Sequence, residues 1–194
     1  MPLVYKNCGS EIPAHICNPC IETERGGVRS VSFIDAGLIP FTSEGLIDKA
    51  QVETPSFWED GIKDSKTHVI PKTRGTYDGG SASTSAGFGD VKEIVTGKNC
   101  TLVFNDPDHR ENEAFYAAIA NAPGTYHVAW RTDTELRISE TPVKVDPADN
   151  TEEDIDSAVV WTCTVTWTQK RKTVQIFDLA PVKGFFNCFE VEEE

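Results

Sequence analysis

The chain has 194 residues, 39% hydrophobic and 9% aromatic, which is enough apolar surface for a folded core and too much for a disordered chain. Eighteen Lys and Arg stand against 31 Asp and Glu, a net charge of −13 that excludes a generic phosphate-neutralising nucleic-acid binder and disfavours an anionic membrane surface. Mean hydropathy is −0.34, and no apolar run reaches the roughly 18 residues that a membrane-spanning helix needs.

The opening residues, Met1 to His15, carry no basic segment followed by an apolar one, so the sequence predicts no secretory signal there and synthesis in a reducing cytoplasm. Residues 1–20 hold Cys8, Cys17 and Cys20 and read as an N-terminal extension of one β-rich domain covering 1–194. Residues 29–34 predict the first strand, following the turn at Arg25, Gly26 and Gly27. Between 35 and 65, Gly37, Pro40, Gly45, Pro55 and Gly61 break the chain into short pieces, with one helical turn expected at 56–62. Residues 66–71 read as a strand that ends at Pro71.

The character changes at 72–90, where glycines and a run of Ser, Thr and Ala offer little to bury. A segment of that composition and length predicts a flexible arm that becomes ordered on a neighbouring chain. Residues 91–95 and 99–104 flank Thr96, Gly97 and Lys98, the pattern of a hairpin. A helix is expected over about 109–121. Asp108 and Glu111 have capping-box spacing, Phe115, Ala118, Ile119 and Ala122 recur at helical spacing, and Pro123-Gly124 ends the run.

The remainder reads as β. Residues 126–131 alternate and turn at Thr132-Asp133, and 135–139 return. The clearest strand is 159–168. Val159, Trp161, Cys163, Val165 and Trp167 line one face, and Thr162, Thr164, Thr166 and Thr168 line the other. That alternation makes one face core and leaves the other wet or against a neighbour. A turn at 169–172 then brings 173–177 back to pair with it.

Several groups invite a chemical reading. Cys8, His15, Cys17 and Cys20 combine thiols and an imidazole of the kind that binds zinc, but they crowd into thirteen residues without a second paired knuckle. Reduced cysteines acting as small apolar side chains are the expectation, for Cys100, Cys163 and Cys188 as well. A redox pair follows a strand and opens a helix, whereas Cys17-Asn-Pro-Cys20 puts Pro19 before the second Cys and lies near the N-terminus, so no such pair is expected. Asp106, Asp108 and His109 bring carboxylates and an imidazole together, but helix capping accounts for Asp108 and Glu111. The stretch 146–156 holds six acids in eleven residues and reads as a solvated acidic loop, with a weak cation site as the alternative. Glu192 to Glu194 form an acidic tail. Gly87-Phe-Gly89 has no Gly-Lys-Ser/Thr after it and is not a phosphate loop. No nucleophile stands at an interpretable spacing from His15, His68, His109 or His127, so no catalytic, cofactor or metal residues are assigned and a non-enzymatic protein is expected.

The order of parts resembles the tail-tube and tail-ring proteins of tailed bacteriophages, nearest to virion proteins of crAss-like and other Bacteroidetes-infecting phages. The resemblance rests on Gly26 to Ile34, the Gly/Ser arm, Thr101 to Asp106 with Asn112 to Phe115, Tyr126 to Trp130, and Val160 to Trp167. It covers most of residues 21–180. It implies an antiparallel β-sandwich or half-barrel with one flanking helix, assembled into a homo-oligomeric ring in the virion tail. It also implies neighbouring tail or portal-adaptor proteins as partners, with double-stranded DNA passing through the lumen without specific binding. An acidic wall suits such a channel because it repels phosphate. Two other readings follow from the residues. One is a carbohydrate- or receptor-binding β-sandwich with Trp58, Trp130 or Tyr77 as stacking platforms. The other is a small hydrolase or metalloprotein built on Asp106–His109 and the cysteines.

Overall fold

The computed structural model describes residues 26–87, 93–107, 111–150, 159–170 and 173–186. Among the described residues ten strands form two antiparallel sheets. The first sheet contains β1 (Ser30–Asp35), β2 (Thr67–Ile70), β6 (Tyr126–Arg131), β7 (Glu135–Ile138) and β10 (Gln175–Asp178), in the order β10-β7-β6-β1-β2. The second contains β3 (Arg74–Tyr77), β5 (Glu93–Asp106), β9 (Val160–Gln169) and β8 (Lys144–Asn150) in that order, with β4 (Ser81–Ala86) also on β5. The fold is mainly β, as the strand patterns predict, with the sandwich-like layout that the resemblance implies. A bridge between Val28 and Gly75 joins the start of β1 to β3, so the two sheets meet along one seam.

Between the sheets lies the main core: Val31, Phe33, Val128 and Trp130 from the first, and Leu102, Phe104, Cys163, Val165 and Trp167 from the second. The first sheet is buried on both faces. Its far side carries Ile34, Ala129, Leu136, Ile138 and Phe177 against a helical layer. That layer is α1 (Lys49–Val52), α2 (Pro55–Lys63) and a 3-10 turn at Lys183–Phe186. Pro55 opens α2 at a position where its missing N–H costs nothing, so 55–63 is a full helix rather than the single turn expected. Trp58 anchors it. The indole is fully buried, its Nε1 donates to the Val52 carbonyl at 2.9 Å, and its ring meets Phe186 at 4.8 Å.

The third helix, α3 (Glu113–Ala120), starts later than the capping-box spacing predicts. Asn112 stands at its N-cap without a side-chain cap bond, and its amide Nδ2 donates to Asp106 Oδ2 at 3.2 Å. Asp108 lies outside the described residues. Tyr116 and Ile119 pack α3 into the main core.

Four expectations are corrected. Residues 74–77 and 81–86 are strands on β5 rather than a free coil. Asp78 holds them in line: its Oδ1 accepts from the N–H of Gly80 at 2.8 Å and of Thr101 at 3.0 Å. The hairpin expected at 96–98 is absent, since β5 runs unbroken from Glu93 to Asp106. Ser83 pairs with Gly97 but Thr84 with Val95, so Thr96 is the extra residue of a bulge. Gly97 is there for close approach, because a Cβ would overlap the Gln169 carbonyl oxygen. Residues 144–150 form β8 rather than the start of a loop, with Pro147 on an edge strand where a missing N–H is tolerated. Finally, β10 pairs with β7 in the first sheet and not back on β9.

Candidate assembly interface

Three features on the outside of the sandwich follow from this register. The first is a ribbon. β9 pairs with β5 only from Lys98 to Asp106, whereas β4 pairs with β5 from Asn99 back to Glu93. Residues 84–86 and 93–96 therefore continue as two strands alone, all solvent-exposed. Ile94 is 41% exposed and Val95 48%, and they are adjacent, so each face of the ribbon shows one β-branched apolar side chain. A two-stranded ribbon with no packed face is marginal by itself, and exposed apolar residues on it cost solubility unless a partner covers them.

The second feature is the outer face of the second sheet. Thr162, Thr164, Thr166 and Thr168 point away from the core. Across from them stand Asn105, Val103, Thr101 and Asn99 on β5, and Ala148, Asp146 and Lys144 on β8. Thr168 Oγ1 donates to Asn99 Oδ1 at 2.9 Å. The alternation expected for this strand holds from Cys163 to Trp167 and extends to buried Gln169, whose Oε1 accepts from Trp167 Nε1 at 3.3 Å. It fails at the start: Val159 is 47% exposed and Trp161 is only half-buried, against Tyr116.

The third feature is a groove of about 470 Å³ along the outer edge of β2. α2 walls it through Ile62, and Asp106, Asn112 and Phe115 close the other side. Asp106 is the polar end of the inward row Cys100, Leu102, Phe104, and is itself buried. Tyr116 Oη donates to its Oδ2 at 2.7 Å. Burial first, then the neighbouring Cys163 and the Asp106 carboxylate, pushes the Tyr116 hydroxyl far above its usual range. This pair stitches α3 to the end of β5.

The chemical candidates are distributed as follows. Cys100 and Cys163 are buried free thiols, and burial pushes Cys163 up to about 12, so it is inert as a nucleophile or ligand. Cys8, His15, Cys17, Cys20, Asp108, His109, Cys188 and Glu192 to Glu194 lie outside the described residues, as do 151–156 of the acidic stretch. Among the described residues no three His, Cys, Asp or Glu side chains gather where a metal ion would sit. The stacking platforms are corrected: Trp58 and Trp130 are buried, and Tyr77 lies against Trp130 at 4.9 Å and Trp167 at 5.9 Å, facing inward. The groove and the ribbon's apolar pair escape sequence reading. The groove is built from four separate segments, and Ile94 and Val95 look like core residues until their partner strand is known. Among the described residues no helix is long and apolar enough to cross a membrane. Comparison of the chain with protein-family models, with curated proteins and with solved structures finds no match in any of the three.

Proposed function

We propose that this protein is a structural subunit of a phage tail tube or tail ring, a non-enzymatic virion component that assembles side by side around a channel for DNA. The observation that carries the reading is the ribbon of 84–86 and 93–96. It extends past the sheet that supports it and exposes Ile94 and Val95, which a neighbouring copy would cover. The arm expected from composition is thereby a strand pair rather than a coil, and a strand pair is stiffer, so less entropy is lost when it docks. Two further properties agree. A net charge of −13 suits a wall past which DNA slides, and the polar threonine face suits either that wall or a contact between sheets.

The test is an image. Negative-stain electron microscopy of the purified full chain at high concentration should show closed rings with a central channel. A protein that stays monomeric at every concentration overturns the proposal.

A further inference from the structure

Resting on that reading, we infer that the ring contact is an added strand: the outer edge of β4 in one subunit pairs with the outer edge of β2 in the next. β8 carries Pro147, with Lys144, Asp146 and Asp149, which discourage pairing. β10 is covered, because Gln175 Oε1 accepts from the Ile47 N–H at 2.9 Å, its Nε2 donates to the Ile47 carbonyl, and the Asp178 N–H donates to Glu53 Oε1 at 2.7 Å. The edge of β3 is occupied by the first-sheet chain, with the Val28 N–H donating to the Gly75 carbonyl at 3.2 Å. Two edges remain. β4 reads Ser-Ala-Ser-Thr-Ser-Ala, small and uncharged, with none of the lysines or prolines that blunt an edge.

β2 is the last strand of its sheet and faces the groove. The groove has the form of a site for an extended segment: one open strand edge between a helix on one side and α3 with the end of β5 on the other. Thr67 lines the groove with its side chain set against Gly61 of α2, which leaves the β2 backbone as the edge an incoming segment would meet. An incoming backbone would bring donors and acceptors to that edge. The occupant is a second copy because the chain offers the matching piece. In a protein of charge −13, the strand edges 67–71 and 79–89 lack Lys, Arg, Asp and Glu; of the groove lining only Lys72 and Asp106 carry charged groups, so the edges themselves meet without like-charge repulsion. The two edges are different surfaces of one chain, so their contact is head-to-tail and repeats from subunit to subunit, as a ring requires.

The experiment uses the full chain in three forms. Ser83→Lys with Ser85→Lys charges the β4 edge, and Ile62→Arg fills the groove from an exposed helix position. Each variant alone should lose assembly in light scattering with an unchanged monomer melting temperature. Mixed in equal amounts they should form a 1:1 dimer and nothing larger, since one good edge of each kind remains. In the wild-type protein, hydrogen exchange at 67–70 and 81–86 should slow on assembly, a readout that stands even if a variant folds poorly. Rings whose exchange at both segments is unchanged, or variants that assemble as the wild type does, overturn the strand pairing and leave the ring reading intact. A wild-type protein that never assembles overturns both.

Discussion

At the scale of single residues, the outer strand of the sandwich separates side chains that hold the fold from those that face out. Trp167 is 5% exposed and packs on Tyr77 and Trp130, while Thr166 beside it is exposed. Trp167→Ala should cost about 3–5 kcal/mol and Thr166→Ala within about 0.5, measured by urea unfolding. Trp161, half-buried against Tyr116, should fall between them, and equal effects at 166 and 167 would refute the register. A second residue sets a pH dependence. His127 is 2% exposed, and its Nδ1 lies 2.8 Å from the Ser139 carbonyl oxygen. Burial holds its pKa below the ordinary 6.5, the hydrogen bond to Ser139 opposing only in part. The unfolded chain then binds a proton that the folded chain refuses. Stability from this site is fully present above pH 6.5 and is lost as the pH falls below it. Unfolding midpoints compared at about pH 7.5 and pH 5.5 should show that loss, and His127→Gln should be less stable at the higher pH yet flatter between the two. Half-buried His68 shifts in the same direction, so some slope should remain.

At the scale of elements, the sequence carried local periodicity and missed long-range pairing. β9 is legible because the eight residues 161–168 alternate between apolar and threonine, and β1, β2, β6 and β7 emerge from short apolar runs bounded by turn residues. β4 was illegible because a ribbon strand buries almost nothing, so Ser, Thr and Ala there look like linker. The partner of β10 was illegible because nothing in residues 173–178 specifies whether β7 or β9 receives it. Gly97 misled because a glycine needed for close approach reads in sequence like one needed for a turn. That distinction is testable. Gly97→Ala pushes a methyl into the Gln169 carbonyl and should cost about 1–3 kcal/mol, the range for overpacking, whereas a turn glycine at negative φ would lose little. The ribbon itself can be removed cleanly. Deleting residues 84–95 joins Ser83 to Thr96 and leaves Ser83, Thr96 and Gly97 as a three-residue loop between the paired Ala82 and Lys98, a length that hairpins accept. A larger cut that entered Arg74–Tyr77 would remove β3 and the seam to Val28. The 84–95 deletion should shift the melting temperature of the monomer by no more than a few degrees, on the order of 1 kcal/mol, and abolish ring formation. Rings that form equally well without the ribbon would exclude it from the contact.

At the scale of the whole molecule, the net charge of −13 and the uncharged edges of β2 and β4 make opposite demands, and ionic strength decides between them. Copies brought side by side repel through their acidic surfaces. At about 0.01 M salt the screening length is roughly 30 Å, so most charges on neighbouring subunits feel one another; at about 0.15 M it is roughly 8 Å, and only charges near the contact do. Backbone pairing between uncharged edges loses nothing to screening, because hydrogen bonds at a desolvated strand edge are not between ions. Assembly should therefore strengthen as salt rises across that range. A contact made of cross-subunit ion pairs would weaken. A nucleic-acid binder would also weaken steeply, through counterion release. Light scattering at fixed protein concentration over a sodium chloride series reads the slope, and a gel shift with double-stranded DNA at the lowest salt reads adhesion where it would be strongest. The expected result is larger particles at higher salt and no retained DNA anywhere in the series. Assembly that falls with salt would place ion pairs rather than strand edges at the contact. DNA retained at low salt would mean that the acidic surface does not face the channel, and the wall would then have to be sought on another side of the sandwich.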